Sequence, residues 1–440
     1  WMSSGEPACT LAACELVAGL KAQIRERTGV PVEEQHLFFP GQRAVPLREP
    51  VRFPGGAATL CLVRSSVDPC KTDLGHFRFL GAFSPVPSGD FLKVSTLYKG
   101  THGKVQHHMW CKPEGNIQVA VKKIAAVRLR SVLDTETDER VSHFRLDSSK
   151  RIADDEDYED PLAEIGILSY LSRQSDLSSN LVRMLGVFSD TTCVWVVMEL
   201  AEGGELFPAI SSGRVHGERQ AGRYTREMLD AVAYLHKHHI GHRDVSLENA
   251  VLTKAGVLQI IDFGMSVRSH SFSGVPFRYF RRVGKECYRA PECYVPDVEE
   301  VVNVVCPAKA LPGDVRMVRL PCDLLAEVRL PDTAHPGEAC TCEVWGYAVQ
   351  PADVFAVGVC VFSMCYRCLL FKQATFADPY FAWIHAQGES SIAEAIRSWG
   401  MEPFALATSL LEQMLCLDPA RRPSAAECLT HPWLAESNGL

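Results

Sequence analysis

HRDVSLEN, residues 242–249, sets out a chemistry at fixed spacing. Asp244 can accept a hydroxyl proton, and five residues on Asn249 can offer an oxygen to a divalent cation. IIDFG, ending at Gly264, adds Asp262 as a second metal ligand, and hard oxygen donors of this kind suit magnesium. The run ERQAGRYTREMLDAVAYLHKHH just upstream has the period of a helix, whereas the chain before residue 200 reads as short β-rich stretches. A small β lobe is therefore expected before a larger helical one.

Within the β-rich part, LYKGTHGKV (97–105) places Gly100 and Gly103 where a hairpin backbone can approach phosphates without a Cβ in the way. Alone it is an ordinary hairpin. VAVKK (119–123) then puts Lys122 on the next strand, within reach of phosphate oxygens, although an isolated strand lysine is usually just solvated. PLAEIGILSYLSR supplies a partner: Pro161 suits a helix start, and Glu164 is expected to face inward and hold Lys122.

Taken in order, these residues with Ala290-Pro291-Glu292 make residues 93–436 resemble the eukaryotic protein kinase domain of the serine/threonine type. The resemblance implies an α+β bilobal fold, ATP and Mg2+ as cofactors, and protein substrates. Asp244 would be the base, Lys122 and Glu164 would orient phosphates, and Asn249 and Asp262 would hold metal. The phosphate loop would run from Leu97 through Gly100 and Gly103. VVMELAEGGELF would be the hinge, with Met198 as gatekeeper, Glu199 and Ala201 meeting adenine through their backbone, and Glu205 reaching the ribose. Val105, Ala120 and Leu252 would enclose the purine. Asp353 would brace the catalytic loop, Arg422 would pair with Glu292, and Met184, Leu168, Phe263 and His242 would form the regulatory spine. An inert kinase fold used as a scaffold is the competing reading, and Tyr98, in place of the first loop glycine, and Ser246 are its best support.

Ser246 stands where the family has a lysine, and Lys285, in VGKECYRAPE, stands where it has a threonine. The two chemistries look exchanged, so Lys285 is expected to point at Asp244 and the transferring phosphate. Arg243 with Arg278, Arg281 and Arg282 forms a cationic cluster awaiting an anion, and Ser269, Ser271, Ser273 and Tyr279 are the candidate phosphate acceptors.

Two segments lie outside the usual pattern. Between Lys122 and Glu164 the acidic run DDEDYED reads as a solvated loop. From about residue 297 to 347 an insertion carries VRMVRL, LLAEVRL and CTCEVWGY, which alternate like strands between Pro and Gly turns. It reads as a small β subdomain near the acceptor side, shaping the choice of protein substrate.

At the other end, LVAGLKAQIRERTGVPVEEQHLFFPGQR begins with Val17, Leu20 and Ile24 at helical spacing, followed by Gly29 and Pro31 as stops and LFF as a strand. With ATLCLVRSS this resembles a truncated ubiquitin-like β-grasp domain over residues 1–65. Its implied partner would meet Leu37 and Phe38, and the missing terminal Gly-Gly implies that it is not conjugated to targets. Residues 66–92 read as a linker.

The 440 residues leave room for two or three domains, and 47% hydrophobic content fills ordinary cores. A formal charge of −8 gives no general attraction for nucleic acid or an anionic membrane. No uninterrupted apolar run reaches the roughly 18 residues of a membrane span. The 17 cysteines are irregularly spaced, which points to thiols in a reducing compartment, cytoplasmic or nuclear. Cys365 and Cys368, the one close pair, read as helix packing and not as half of a metal site.

Overall fold

The computed structural model describes residues 17–28, 35–38, 61–64, 83–87, 89–100, 103–126, 160–214, 217–270, 277–294, 301–308, 310, 313–320, 323–331, 333–386 and 392–436. The chain divides into two units, one of Trp1–Thr72 (the head) with His270–Phe277, and a body comprising Asp73–Ser269 and Arg278–Leu440.

In the head, α1 (Val17–Thr28) buries Leu20 and Ile24, four residues apart on one face. Strands β1 (Gln35–Phe38) and β2 (Cys61–Arg64) pair antiparallel, with Leu37 opposite Leu62 and Phe38 opposite Cys61.

The body opens with a six-stranded sheet in the order β3-β7-β8-β6-β5-β4. These are β3 (Ser84–Pro85), β4 (Phe91–Gly100), β5 (Gly103–Lys112), β6 (Gly115–Ala125), β7 (Met184–Ser189) and β8 (Cys193–Glu199). The stretch read as a linker thus reaches into the sheet: Ser84–Pro85 pairs parallel with β7, and β4 begins at Phe91. Pro85 is tolerated because β3 is an edge strand, where a missing N–H breaks no ladder. Val119 and Val121 of β6 are fully buried, so Ala120 and Lys122 face the other side, as a period of two requires.

Helix α2 (Pro161–Ser172) packs against β7. The last residue of the acidic run, Asp160, is its N-cap and accepts from Leu162 N and Ala163 N at 3.0 Å each; it is a structural residue and not part of a solvated loop. Residues 154–159 of that run lie outside the described residues.

The helical lobe contains β9 (Gly204–Glu205), α3 (Leu206–Ser211), α4 (Glu218–Lys237), β10 (Ile240–Gly241), β11 (Ala250–Leu252), β12 (Leu258–Ile260) and β13 (Val267–Arg268). On α4 the buried Ala221, Tyr224, Met228, Val232 and Leu235 recur every three to four residues.

The insertion is a four-stranded antiparallel sheet in the order β14-β17-β16-β15, from Val301–Val305, Ala339–Val344, Leu325–Arg329 and Val315–Arg319. It has its own core of Val304, Val318, Val328, Leu330 and Cys342. Strand β14 has no sequence counterpart among the three expected strands. As an edge strand it exposes Val301 and Val305, so VVNVV shows no apolar–polar alternation.

Next come α5 (Val349–Tyr366), α6 (Pro379–His385), α7 (Ile392–Ser398) and α8 (Ala405–Met414). Helix α5 is largely apolar, 18 residues long with a mean hydropathy of 1.4, and by length and composition only it is long and apolar enough to cross a membrane. Its surroundings explain that composition: Val354, Phe355, Val357, Val359, Val361 and Phe362 are all buried in this lobe. The helix stops where Arg367 turns left-handed at φ 56°, so Cys368 lies past its end and is exposed instead of packed.

Candidate active site

The hairpin of β11 and β12 builds the centre. Ala250 pairs with Ile260, and one step outward Ile261 N donates to Asn249 O at 2.9 Å, which sets Asn249 beside the start of the Asp262-Phe263-Gly264 segment. The Asn249 side-chain amide donates through Nδ2 to Asp244 O at 2.9 Å and Asp244 Oδ2 at 2.7 Å, leaving its carbonyl end for a cation.

Asp353 on α5 holds the catalytic loop from below. Its carboxylate is buried and accepts from His242 N and Arg243 N, both at 2.8 Å, and contacts His236 Nε2 at 3.0 Å. Arg243 has φ 64°, a conformation that costs a non-glycine residue on the order of 1 kcal/mol, and the bond to Asp353 helps to fix it.

Lys122 Nζ reaches Glu164 Oε1 and Oε2 at 2.8 and 2.9 Å and Asp262 Oδ1 at 3.3 Å. Burial alone would raise the Asp262 carboxyl, but the Lys122 ammonium outweighs it and holds the group below the usual carboxylate range. Phe263 is buried beneath, with its ring 5.3 Å from that of His242. Leu168 is buried too, and Met184 is half-buried at the start of β7.

The nucleotide-side residues fall along the strands. Ala120 pairs with Met198, Val105 with Lys122, and Leu252 with Gly204. Glu199 ends β8, Ala201 follows it, and Glu205 is exposed at the N-cap of α3. Leu97 and Tyr98 are exposed on β4, where Tyr98 pairs with Val105, and Gly100 pairs with Gly103. A Cβ on Gly103 would come within 2.7 Å of Lys123 O, so that position admits only glycine without a shift.

Opposite Asp244 lies Lys285. Its backbone N donates to Asp244 Oδ1 at 3.0 Å, and its Nζ donates to Asp244 Oδ2 at 2.8 Å and to Ser246 Oγ at 3.1 Å. Gly284 permits this approach: at φ 79° a Cβ would overlap Arg243 O and sit 3.3 Å from Asp244 Oδ1. Burial works against the Lys285 charge, yet Asp244, aided by Glu248 and Asp262, holds its pKa above the ordinary lysine value. One cation therefore lies against both the candidate base and the hydroxyl that replaces the expected lysine.

The cationic cluster differs from expectation. Arg278 Nη1 is already bound to Glu327 Oε2 of the insertion at 2.6 Å. Arg243 donates through Nε to Met265 O at 2.7 Å and lies over the Tyr279 ring. Tyr279 is buried with its hydroxyl donating to Arg268 O, and Ser269 is buried with Oγ accepting from Gln350 Nε2 at 3.1 Å, so neither is presented as a phosphate acceptor. Ser271 and Ser273 lie outside the described residues. Sequence reading missed Glu327 because β16 is buried on both faces, and alternation says nothing about a partner in such a strand.

Arg422 and Glu292 pair with both side chains fully inaccessible, Nη2 to Oε2 at 2.7 Å. Removing one partner leaves the other charge buried, so Glu292→Ala is expected to destabilise the fold by about 3–5 kcal/mol. Chemical denaturation would show this as a lower midpoint; an unchanged midpoint would contradict it.

The model of the protein kinase domain matches residues 92–299 and 344–434, and the gap between them is the β insertion. The chain belongs to the protein kinase domain family. It is 35% identical over 298 residues to calcium-dependent protein kinase 20 of Oryza sativa subsp. japonica, covering 65% of this chain and 41% of that protein. It is 28% identical over 289 residues to calcium-dependent protein kinase SK5 of Glycine max, covering 64% and 44%. To CBL-interacting serine/threonine-protein kinase 5 of Arabidopsis thaliana it is 26% identical over 258 residues, covering 59% and 45%. The chain thus spans less than half the length of these relatives.

Proposed function

We propose that this chain is an ATP- and Mg2+-dependent serine/threonine protein kinase. The observation that carries the reading is the joint arrangement of Lys122 on Glu164 and Asp262, and of Asp244 on Asn249 and Lys285. A scaffold that had lost catalysis would have no need to keep all of these. Ser246, which with Tyr98 most favoured an inert fold, is bonded to Lys285, whose ammonium supplies the charge that a lysine at position 246 would bring.

Asn249 and Asp262 suit magnesium: both are hard oxygen donors, adjacent across the hairpin, and Asp262 is kept ionised by Lys122. Bound there with ATP, the metal would neutralise charge on the phosphate oxygens. Asp244 takes the proton of the acceptor hydroxyl as its oxygen bonds to the γ-phosphorus and the bond to the β,γ-bridging oxygen breaks, releasing ADP. Lys285 orients the Asp244 carboxylate and supplies positive charge where negative charge develops. The β-grasp reading of the head, with a protein partner at β1, and a reducing cytoplasmic or nuclear setting belong to the same proposal. The helix and antiparallel pair support the first, and the free thiols of the described cysteines support the second.

Transfer of labelled γ-phosphate to a mixed serine/threonine peptide pool tests the reading, with Asp262→Ala as the control. Label on serine or threonine that disappears in Asp262→Ala is expected. Absence of transfer by the folded wild type, or transfer that survives the substitution, counts against it.

A further inference from the structure

The insertion touches the acceptor side of the site at defined atoms. Glu327 lies in the middle of β16, and its carboxylate is the hydrogen-bond partner of Arg278, at 2.6 Å, with 9% of the Glu327 side chain and 17% of the Arg278 side chain exposed. The Nε of Arg278 is buried without a hydrogen-bond partner, so the guanidinium relies on Glu327 for its counter-charge. Beside it, Tyr279 N donates to Tyr347 O and Tyr347 N to Tyr279 O, both at 2.9 Å. Tyr347 also donates from its hydroxyl to Arg281 O at 2.8 Å. A Cβ on Gly346 would come within 2.7 Å of Tyr279 O, so the closeness of the two segments is built into the sequence. Four residues beyond Arg281 the same segment delivers Lys285 to Asp244.

We propose that the insertion is an internal clamp on the segment facing the catalytic loop, and that Glu327 is a positioning residue giving Arg278 the negative charge that a phosphorylated side chain would otherwise supply. The catalytic arrangement is then held without phosphate on that segment. This rests on the kinase reading only for its effect on rate, since the clamp itself is a property of the fold.

The chemistry favours such a role over simple stabilisation. Burial pushes the Glu327 carboxyl up to about 7 against the pull of Arg278. An apolar pair would fill the same space without that penalty, and a buried ion pair is weak as a source of stability but strict about geometry. Residues 300–343, which carry Glu327, are also outside the stretch matched to the family model, so Glu327 belongs to this chain's added part. A carboxylate and a phosphate satisfy a guanidinium through the same charge-assisted hydrogen bonds.

The test uses the full chain, purified and treated with phosphatase, as wild type, Glu327→Gln, Glu327→Asp, Arg278→Gln and the Glu327→Gln/Arg278→Gln double variant. Amide hydrogen exchange at Tyr279, Tyr347 and Lys285 should quicken in Glu327→Gln and return towards wild type in Glu327→Asp, while exchange in α4 stays unchanged. For transfer to a peptide pool, Glu327→Gln should lower kcat/KM by roughly 10- to 100-fold through the acceptor KM, with ATP KM unaltered. The double variant should be no worse than the poorer single one, because each removes the same interaction. Phosphatase treatment should leave the wild-type rate unchanged. The clamp is overturned if Glu327→Gln exchanges and reacts as wild type does, if the two substitutions act independently, or if phosphatase abolishes activity. If the wild type transfers no phosphate at all, the kinase reading fails, and the exchange data still decide the clamp.

Discussion

Lys285→Thr is expected to lower kcat by roughly 10- to 1,000-fold, the range for losing one electrostatic stabiliser of a transition state. The substitution takes away the ammonium 2.8 Å from Asp244 Oδ2 and leaves the base otherwise held, by Asn249 Nδ2 at 2.7 Å and by the backbone N of residue 285 at 3.0 Å. The loss is therefore one of charge more than of position. Nucleotide KM should change little, because the hinge residues around Met198 lie on β8 and not on the segment that carries Lys285. Ser246→Lys added to Lys285→Thr should recover much of the rate, since Ser246 Oγ lies 3.1 Å from the ammonium being replaced. Ser246→Lys alone sets two cations side by side and should impair the enzyme, so the pair is strongly non-additive. Steady-state kinetics of the four proteins check this; effects that simply multiply would show that the two positions do not share one role.

Asp244→Asn should be about as severe, lowering kcat by roughly 10²–10⁴ as a positioned general base is lost. The geometry adds a second cost. Oδ1 and Oδ2 of Asp244 both accept hydrogen bonds, from Lys285 N and Nζ and from Asn249 Nδ2, so an amide NH2 at either place meets a donor. The Lys285 ammonium also loses the carboxylate that holds its pKa up, and that pKa should fall in the variant. Calorimetry should find ADP binding preserved while peptide phosphorylation collapses. A variant that retains near wild-type kcat would remove Asp244 from the role of base.

How much of this was legible in advance depends on the range of the interaction. The catalytic loop, the β11–β12 hairpin and the Pro161 helix start are local: five residues between Asp244 and Asn249, or a proline at the first turn, constrain geometry wherever the segment is placed. The family pattern extended that legibility to pairs such as Lys122–Glu164, 42 residues apart, because the spacing of known chemistry stood in for coordinates. Even the exchange of Ser246 and Lys285 left a trace in the residue types, each unusual for its place.

Where no pattern was available, the sequence was silent or misled. DDEDYED reads as solvated throughout, yet Asp160 caps α2, because charge density does not reveal which carboxylate meets a helix N-terminus. Arg278 looks like a cation awaiting phosphate until β16 brings Glu327, 49 residues later, to within 2.6 Å. Amino-acid type and short-range spacing determined most of the elements and the reactive groups, though not β3 or β14. The partner of a buried charge was decided by tertiary packing, because a charge removed from water must be met by whichever opposite group the fold brings within a few ångströms, and that distance is not a function of position along the chain.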